Sequence, residues 1–215
     1  MSEKKPIYLD VLVDGIKDFF YEGFALPNPL AVAKIPYICE QLRFGHDNKR
    51  MRISLEDAHE NDYAQTVEGK NLPIPHGIVG TLGAELVSEF QPIFRDAIII
   101  PVSEDISYLL NFFEANIKEG AIGPSSSVRI QKDTFGSRGF IALLNSLMVS
   151  QYEVVGVRFL GVLTGMCDIS NIVIAKTMFP NAEIMVDAKG CADLTDELHE
   201  AALASIERLH ITVLR

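Results

Sequence analysis

The run Val154-Val155-Gly156-Val157-Arg158-Phe159-Leu160-Gly161-Val162-Leu163-Thr164-Gly165-Met166-Cys167 decides how this chain is read. Its first part is apolar and rich in β-branched residues, and it stops in a Gly/Thr turn, the pattern of a buried strand. The following stretch, Asp168 to Met178, reads as a helix. Cys167 therefore stands where a strand hands over to a helix N-terminus. Free backbone N–H groups there favour negative charge and lower a thiol's pKa. Two readings of Cys167 stay open on position alone: a nucleophile, or the small buried hydrophobe that a free cysteine commonly is.

Outward from that run the pattern alternates strand and helix. Ile7 to Val13 is a short apolar strand ending at Asp14, and a helix follows with Ile35, Ile38, Cys39 and Leu42 on one face. Pro36 falls near its start, where proline is tolerated. Met51 to Leu55 is a weaker strand ending in Glu56 and Asp57. Thr81 to Phe90 reads as helical, and Ala97 to Val102 as a buried strand. Ile106, Leu109, Leu110 and Phe113 recur at helical spacing, as do Phe140, Leu143, Leu144 and Leu147. Beyond Cys167 come a strand over Ala182 to Val186, a helix opened by Thr195 and Asp196 as cap residues, and a last strand from His210 to Leu214. Repeated strand–helix units imply a single-domain three-layer α/β/α architecture over 1–215 with a mostly parallel sheet.

Bulk properties narrow the class. The chain has 215 residues, 48% hydrophobic and 22% charged, which argues against disorder and for a substantial core. A net charge of −10 speaks against a nucleic-acid partner, since phosphate binding needs a basic surface. No apolar run reaches the roughly 20 residues that span a bilayer, and Met1 to Lys5 lacks the apolar segment of a secretory signal. Three cysteines give no disulfide framework. The expectation is a soluble, cytoplasmic protein with neither nucleic acid nor membrane as partner.

In parallel sheets, sites form beyond the carboxyl ends of the strands. Asp14, Asp57 with His59, Lys132 and Cys167 all fall at such ends. A cysteine nucleophile needs a proton acceptor and a group to hold its thiolate. No histidine lies near Cys167 in sequence; the five are His46, His59, His76, His199 and His210. Asp14 as base and Lys132 as cation are the strand-end residues available. Read one at a time, each is as well explained as a helix cap or a solvated lysine.

Taken together, these residues resemble the isochorismatase-like cysteine hydrolases, the family that includes the nicotinamidases. Leu12-Val13-Asp14-Gly15-Ile16-Lys17-Asp18-Phe19-Phe20 is similar to their opening segment, and Gln131-Lys132-Asp133-Thr134-Phe135-Gly136-Ser137 to their lysine segment. Gly161-Val162-Leu163-Thr164-Gly165-Met166-Cys167 resembles Gly-Val-x-Thr-Asp-x-Cys. Gly80 to Leu86 and Leu198 to Leu203 resemble a middle and a C-terminal segment, so the matches run in order over nearly the whole chain. The resemblance implies an Asp14–Lys132–Cys167 triad that hydrolyses an amide through a thioester. It also implies a cis peptide between Val162 and Leu163, which turns the Leu163 N–H, with that of Cys167, toward the oxyanion.

The nicotinamidase branch adds a metal pair of the form Asp-x-His, which Asp57-Ala58-His59 resembles, and a later segment that Pro75-His76-Gly77 resembles. A further histidine found in some relatives is missing. Gln65 stands near its place, and Glu68 is at the spacing of an acidic ligand in others. The implied ligand set is Asp57, His59, Glu68 and His76, for a divalent ion, Zn²⁺ first and Fe²⁺ or Mn²⁺ next. Departures stand beside the matches. Gly165 replaces the family's Asp or Ser, Ile16 or Lys17 stands for the Gln of the opening motif, and there is no tryptophan to complete an aromatic sandwich. Phe19, Leu26 and Leu163 are expected to wall the pocket, with Ser103 to Ser127 as candidate cover. Cys39 reads as core, Cys191 as packing near the start of the last helix, and His199 and His210 as structural or exposed rather than ligands. The expected activity is hydrolysis of nicotinamide, a small-molecule substrate, by a homo-oligomer. The alternatives are hydrolysis of another small amide or ureido compound, or a binding protein that keeps the fold without catalysis.

Overall fold

In a computed structural model of the protein, residues 3–215 are described, and their seven strands form one sheet in the order β3-β4-β2-β1-β5-β6-β7. The strands are β1 (Lys5–Val13), β2 (Met51–Asp57), β3 (Ile98–Ile100), β4 (Ser127–Lys132), β5 (Tyr152–Val162), β6 (Glu183–Ala192) and β7 (Thr212–Leu214). Every adjacent pair runs parallel. Between them lie the helices α1 (Lys17–Phe20), α2 (Pro29–Val32), α3 (Ile35–Asp47), α4 (Val67–Asn71), α5 (Ile106–Glu119), α6 (Arg138–Val149), α7 (Ile169–Met178) and α8 (Asp196–Glu207). The three-layer α/β/α class read from the alternation is the class observed.

Strand side chains alternate between the two faces, and the core divides accordingly. Val11, Val13 and Phe159 pack on one face with Phe113 of α5, Leu143 of α6, Ile172 of α7 and Leu203 of α8. Leu12 and Leu160 pack on the other with Ile38 and Leu42 of α3, Phe20 and Phe90. Through the polar side of the central strands runs an ion-pair cluster. Asp10 is fully buried, with its Oδ1 at 3.0 Å from Arg158 Nε and 2.9 Å from Arg50 Nη2. No helix among the described residues is long and apolar enough to cross a membrane.

Two sequence expectations are corrected. Thr81 to Phe90 is not a helix but a series of turns. Its backbone serves tertiary pairing: Lys17 N–H donates to Glu85 O, Asp18 N–H to Gly83 O and Val87 N–H to Gly15 O. Those carbonyls and amides are committed to the segment after β1, which overrides the local helical preference. Ala97 to Val102 contains a strand, but a short one at the sheet edge, paired only with β4 and leaving Ile99 54% exposed. An apolar run alone does not distinguish an edge strand with a half-covered face from a central one.

Chain order reverses between β1 and β5: from β1 the chain builds β2, β4 and β3 on one side, then crosses to β5 on the other. That is the switch point beyond whose carboxyl ends a crevice opens in doubly wound sheets. Asp14 follows β1 there, and Cys167 follows β5. Gly161 makes the junction possible. At φ +131, a β-carbon on it would fall on the Val13 carbonyl.

Candidate active site

Four neighbouring strands deliver the polar groups. Asp14 stands just past β1, Asp57 ends β2, Lys132 ends β4, and Cys167 lies in a π turn, Thr164–Asp168, between β5 and α7. Lys132 Nζ is 2.9 Å from Asp14 Oδ2 and 3.8 Å from Cys167 Sγ, and it also donates to Asp57 Oδ1. Ligand-capable atoms of Asp14, Asp57 and Cys167 all lie within 4.8 Å of one another. Asp14 is held in the left-handed region at φ 51, uncommon for a residue with a side chain. Its backbone N–H donates to Leu55 O and its Oδ1 accepts the Asp57 N–H at 2.9 Å, so both ends of the residue are fastened to β2. The peptide bond between Val162 and Leu163 is cis.

Burial and the shared ammonium set the charges. Desolvation and the nearby Asp57 push Asp14 up to about 7, against the pull of Lys132. Burial acts on Asp57 in the same direction, but there the Lys132 ammonium and His59 prevail and bring it down to about 2. Lys132 itself is raised, because two carboxylates outweigh its own desolvation. The Cys167 thiol is pushed well above its ordinary value, by burial first and only partly offset by Lys132. This corrects the expectation of a lowered thiol pKa. A side chain only 7% exposed beside two carboxylates loses more by desolvation than the turn restores. Burial thus favours the neutral thiol, with Asp14 within reach as proton acceptor.

Beside this cluster lies the second group. His59 Nε2 is 3.8 Å from Asp57 Oδ2 and 3.7 Å from Glu68 Oε1; His76 Nε2 is 3.7 Å and 3.5 Å from the same two atoms. Ligands about 2.0–2.2 Å from a tetrahedral ion stand about 3.3–3.6 Å apart; these spacings are slightly wider, and the ligand atoms of Asp57, His59 and His76 all lie within 4.8 Å of one another, with Glu68 facing the two histidines. Two further observations fit. The buried His59 Nε2 has no hydrogen-bond partner. His76 Nδ1 lies 2.8 Å from Ile74 O, which places its proton on Nδ1 and leaves the Nε2 lone pair facing the group. Tyr63 packs against both imidazoles, with ring centroids at 4.8 and 5.1 Å, and Phe19 covers His76 at 5.4 Å. Asp18 fixes the His76 loop by accepting the Gly77 N–H at 2.8 Å. Gly77, at φ +56, lies against Asp57, where a β-carbon would meet its backbone. Gln65 is exposed on a 3₁₀ turn and takes no part.

A cavity of about 590 Å³ opens over both clusters. Phe19, Leu26 and Leu163 line it, as read from the sequence. Ser103 to Ser127 does not: most of it forms α5, packed on the sheet face away from the mouth. The mouth is framed instead by Val67 on α4, Phe135 after β4, Met166 in the π turn and Leu194 after β6. The sequence singled out none of these four, because an apolar residue after a strand carries no mark of facing a cavity. Asn28 also lines it, capping α2 with its Oδ1 and donating from Nδ2 to Asp193 O.

The turn around Cys167 is braced from β6 and α8. Asp193 Oδ2 accepts the Gly165 N–H at 2.7 Å, so a carboxylate from elsewhere serves the turn in which Gly165 replaces an acidic residue. His199 Nδ1 lies 2.8 Å from Thr164 Oγ1 and is structural, as read. Asp168, next to the nucleophile, is fully buried and neither carboxyl oxygen finds a hydrogen-bonded oxygen or nitrogen partner. Burial pushes it up to about 8, opposed by a contact with the Cys191 thiol and reinforced by Asp14 and Asp193. Sequence reading passed over it as a helix-start residue.

No family model matches the chain, and no curated protein matches it in sequence. In three dimensions it is similar to several solved proteins. The nicotinamidase/pyrazinamidase of Bacillus subtilis superposes with a TM-score of 0.72 at 18% identity, covering 97% of this chain and 100% of that one. A pyrazinamidase of Pyrococcus horikoshii in complex with zinc gives 0.68 at 19% identity, over 97% and 98%. The N-carbamoylsarcosine amidase of Thermoplasma acidophilum gives 0.65 at 17% identity, over 98% and 96%. The chain thus has the α/β fold of the isochorismatase-like hydrolases. The nicotinamidases share that fold.

Proposed function

We propose that this chain is a cysteine amidohydrolase of the isochorismatase-like family, of the nicotinamidase type, converting nicotinamide to nicotinate and ammonia. The observation that carries the reading is the convergence of Asp14, Lys132 and Cys167 beside a group of four ligand atoms under one cavity. The amidases and the zinc complex among its structural neighbours support it.

The chemistry follows from the charges. Asp14 takes the proton of the Cys167 thiol as sulfur attacks the amide carbonyl, a transfer matched to a base near neutrality. Lys132 offsets the growing negative charge while Asp57 keeps that lysine protonated. The N–H groups of Leu163 and Cys167 receive the oxyanion. Asp14 then gives its proton to the leaving nitrogen, releasing ammonia and leaving a thioester on Cys167. Water deprotonated by Asp14 attacks that thioester, and the acid leaves as sulfur regains its proton. A divalent ion held by Asp57, His59, Glu68 and His76 would supply a Lewis-acid anchor for a ring nitrogen and so orient the carboxamide over Cys167. Zn²⁺ suits that donor set, with Fe²⁺ and Mn²⁺ next. Cytoplasmic location belongs to the same proposal and rests on the sequence, and self-association rests on the resemblance to a family whose members commonly form dimers or tetramers.

The test is ammonia release from nicotinamide, with and without added Zn²⁺ or Mn²⁺. Wild-type protein is expected to release ammonia, and folded Cys167→Ala none. Release that survives that substitution ends the mechanism.

A further inference from the structure

The cavity is chemically divided. Its titratable groups, Asp14, Asp57, Glu68 and His76, gather toward the floor with Cys167, while the mouth, beside the exposed, uncharged Asn71 and Thr134, is ringed by Val67, Phe135, Met166 and Leu194. These four come from separate elements, and all are more exposed than an apolar side chain packed in a core: 77%, 38%, 38% and 62%. No lysine or arginine lines the cavity among the described residues. Lys132 lies beneath the floor and is committed to Asp14 and Asp57. At about 590 Å³, the space falls in the range that holds drug-sized ligands and exceeds what a single-ring carboxamide fills.

Two consequences follow. A substrate carboxylate in the outer cavity would exchange water for largely apolar walls with no lysine or arginine at the rim to meet it, and an ion on the floor would be taken up by its own ligands and the ring nitrogen. An uncharged apolar substituent in the same place would bury its own surface and that of the rim. We infer that the preferred substrate is an uncharged carboxamide bearing an apolar group beyond the reacting ring, held by Val67, Phe135, Met166 and Leu194. This rests on the amidohydrolase reading and specifies its substrate class. It also sets this chain apart from an amidase whose substrate carries an acid, as an N-carbamoyl amino acid does.

Equilibrium binding to Cys167→Ala separates recognition from chemistry. The probes are nicotinamide, its 5-butyl and 6-butyl derivatives, and the same chains ending in a carboxylate. At least one butyl derivative is expected to bind roughly tenfold or more tighter than nicotinamide, and both acid-ended chains more weakly than their butyl counterparts. Adding Leu194→Asp or Val67→Asp, both at exposed positions, is expected to bring the butyl-to-nicotinamide affinity ratio down toward one. Butyl derivatives that bind no better than nicotinamide would overturn the inference, as would acid-ended chains that bind as tightly as butyl. So would rim variants that change the oligomeric mass and leave the ratio untouched, which would make the rim an interface between copies. Ammonia release by wild-type protein keeps the two levels apart. Release from nicotinamide without a butyl advantage removes only the substrate class; release from no amide removes the amidohydrolase reading itself.

Discussion

Replacing Asp168 by asparagine isolates a single buried charge. In the folded protein this carboxyl titrates at about 8, against 3.8 for an ordinary aspartate, because it is fully buried without an oxygen or nitrogen partner. Below pH 3.8 both folded and unfolded chains carry the proton, and the group costs nothing. Between 3.8 and about 8 the unfolded chain gives up its proton while the folded chain keeps it, so stability falls as pH rises. Above about 8 both are ionised and the loss levels off. Some four pH units at about 1.4 kcal/mol each set a ceiling of about 6 kcal/mol, which local relaxation and water entry reduce. Asparagine has nearly the same shape and no charge, but leaves a buried amide short of partners, a cost of about 1–3 kcal/mol at every pH. The difference between the two proteins should therefore change sign. At pH 5, Asp168→Asn is expected to unfold at the same or lower urea concentration than wild type, and at pH 9 at a clearly higher one. Urea midpoints with a constant slope measure this. Parallel midpoints across that range would refute the reasoning, since they would mean that Asp168 is ionised and paired in the folded state.

Further outcomes follow from other contacts. Lys132→Met leaves Asp14 and Asp57 buried without their shared cation; amide hydrolysis is expected to fall by about 10²–10⁴-fold and unfolding free energy at neutral pH by about 3–5 kcal/mol, read by ammonia assay and urea denaturation. Glu68→Gln keeps the shape but removes a charged ligand, and Zn²⁺ affinity by equilibrium dialysis should drop by more than about tenfold, as much as losing an outer-shell partner costs. Asp10→Ala strands Arg158 and Arg50 in the sheet and should lower stability by about 3–5 kcal/mol, with ammonia release per folded molecule unchanged.

The polar strand ends were legible in the sequence because the chain repeats one unit. Each apolar run stops at a residue that has no reason to be there for packing, and parallel strands bring such stops to one edge. Asp14, Asp57, Lys132 and Cys167 were found that way, and the four proposed ligands through the resemblance to the nicotinamidase segments. What escaped depends on contacts between distant segments. Thr81 to Phe90 kept its helical spacing on paper, yet its backbone pairs with residues 15–18. Asp193 reaches the Gly165 amide across 28 positions, and nothing local announces it. The rim residues carry no signal at all, since an apolar side chain at a strand end looks the same whether it faces a core or a cavity.

Asp57 is one residue answering to two masters. One of its oxygens holds Lys132 and the other belongs to the histidine group. An ion on that side would draw electron density away from the lysine on the other. Were an ion held there, its binding and the charge beside the sulfur would be coupled through this one carboxylate.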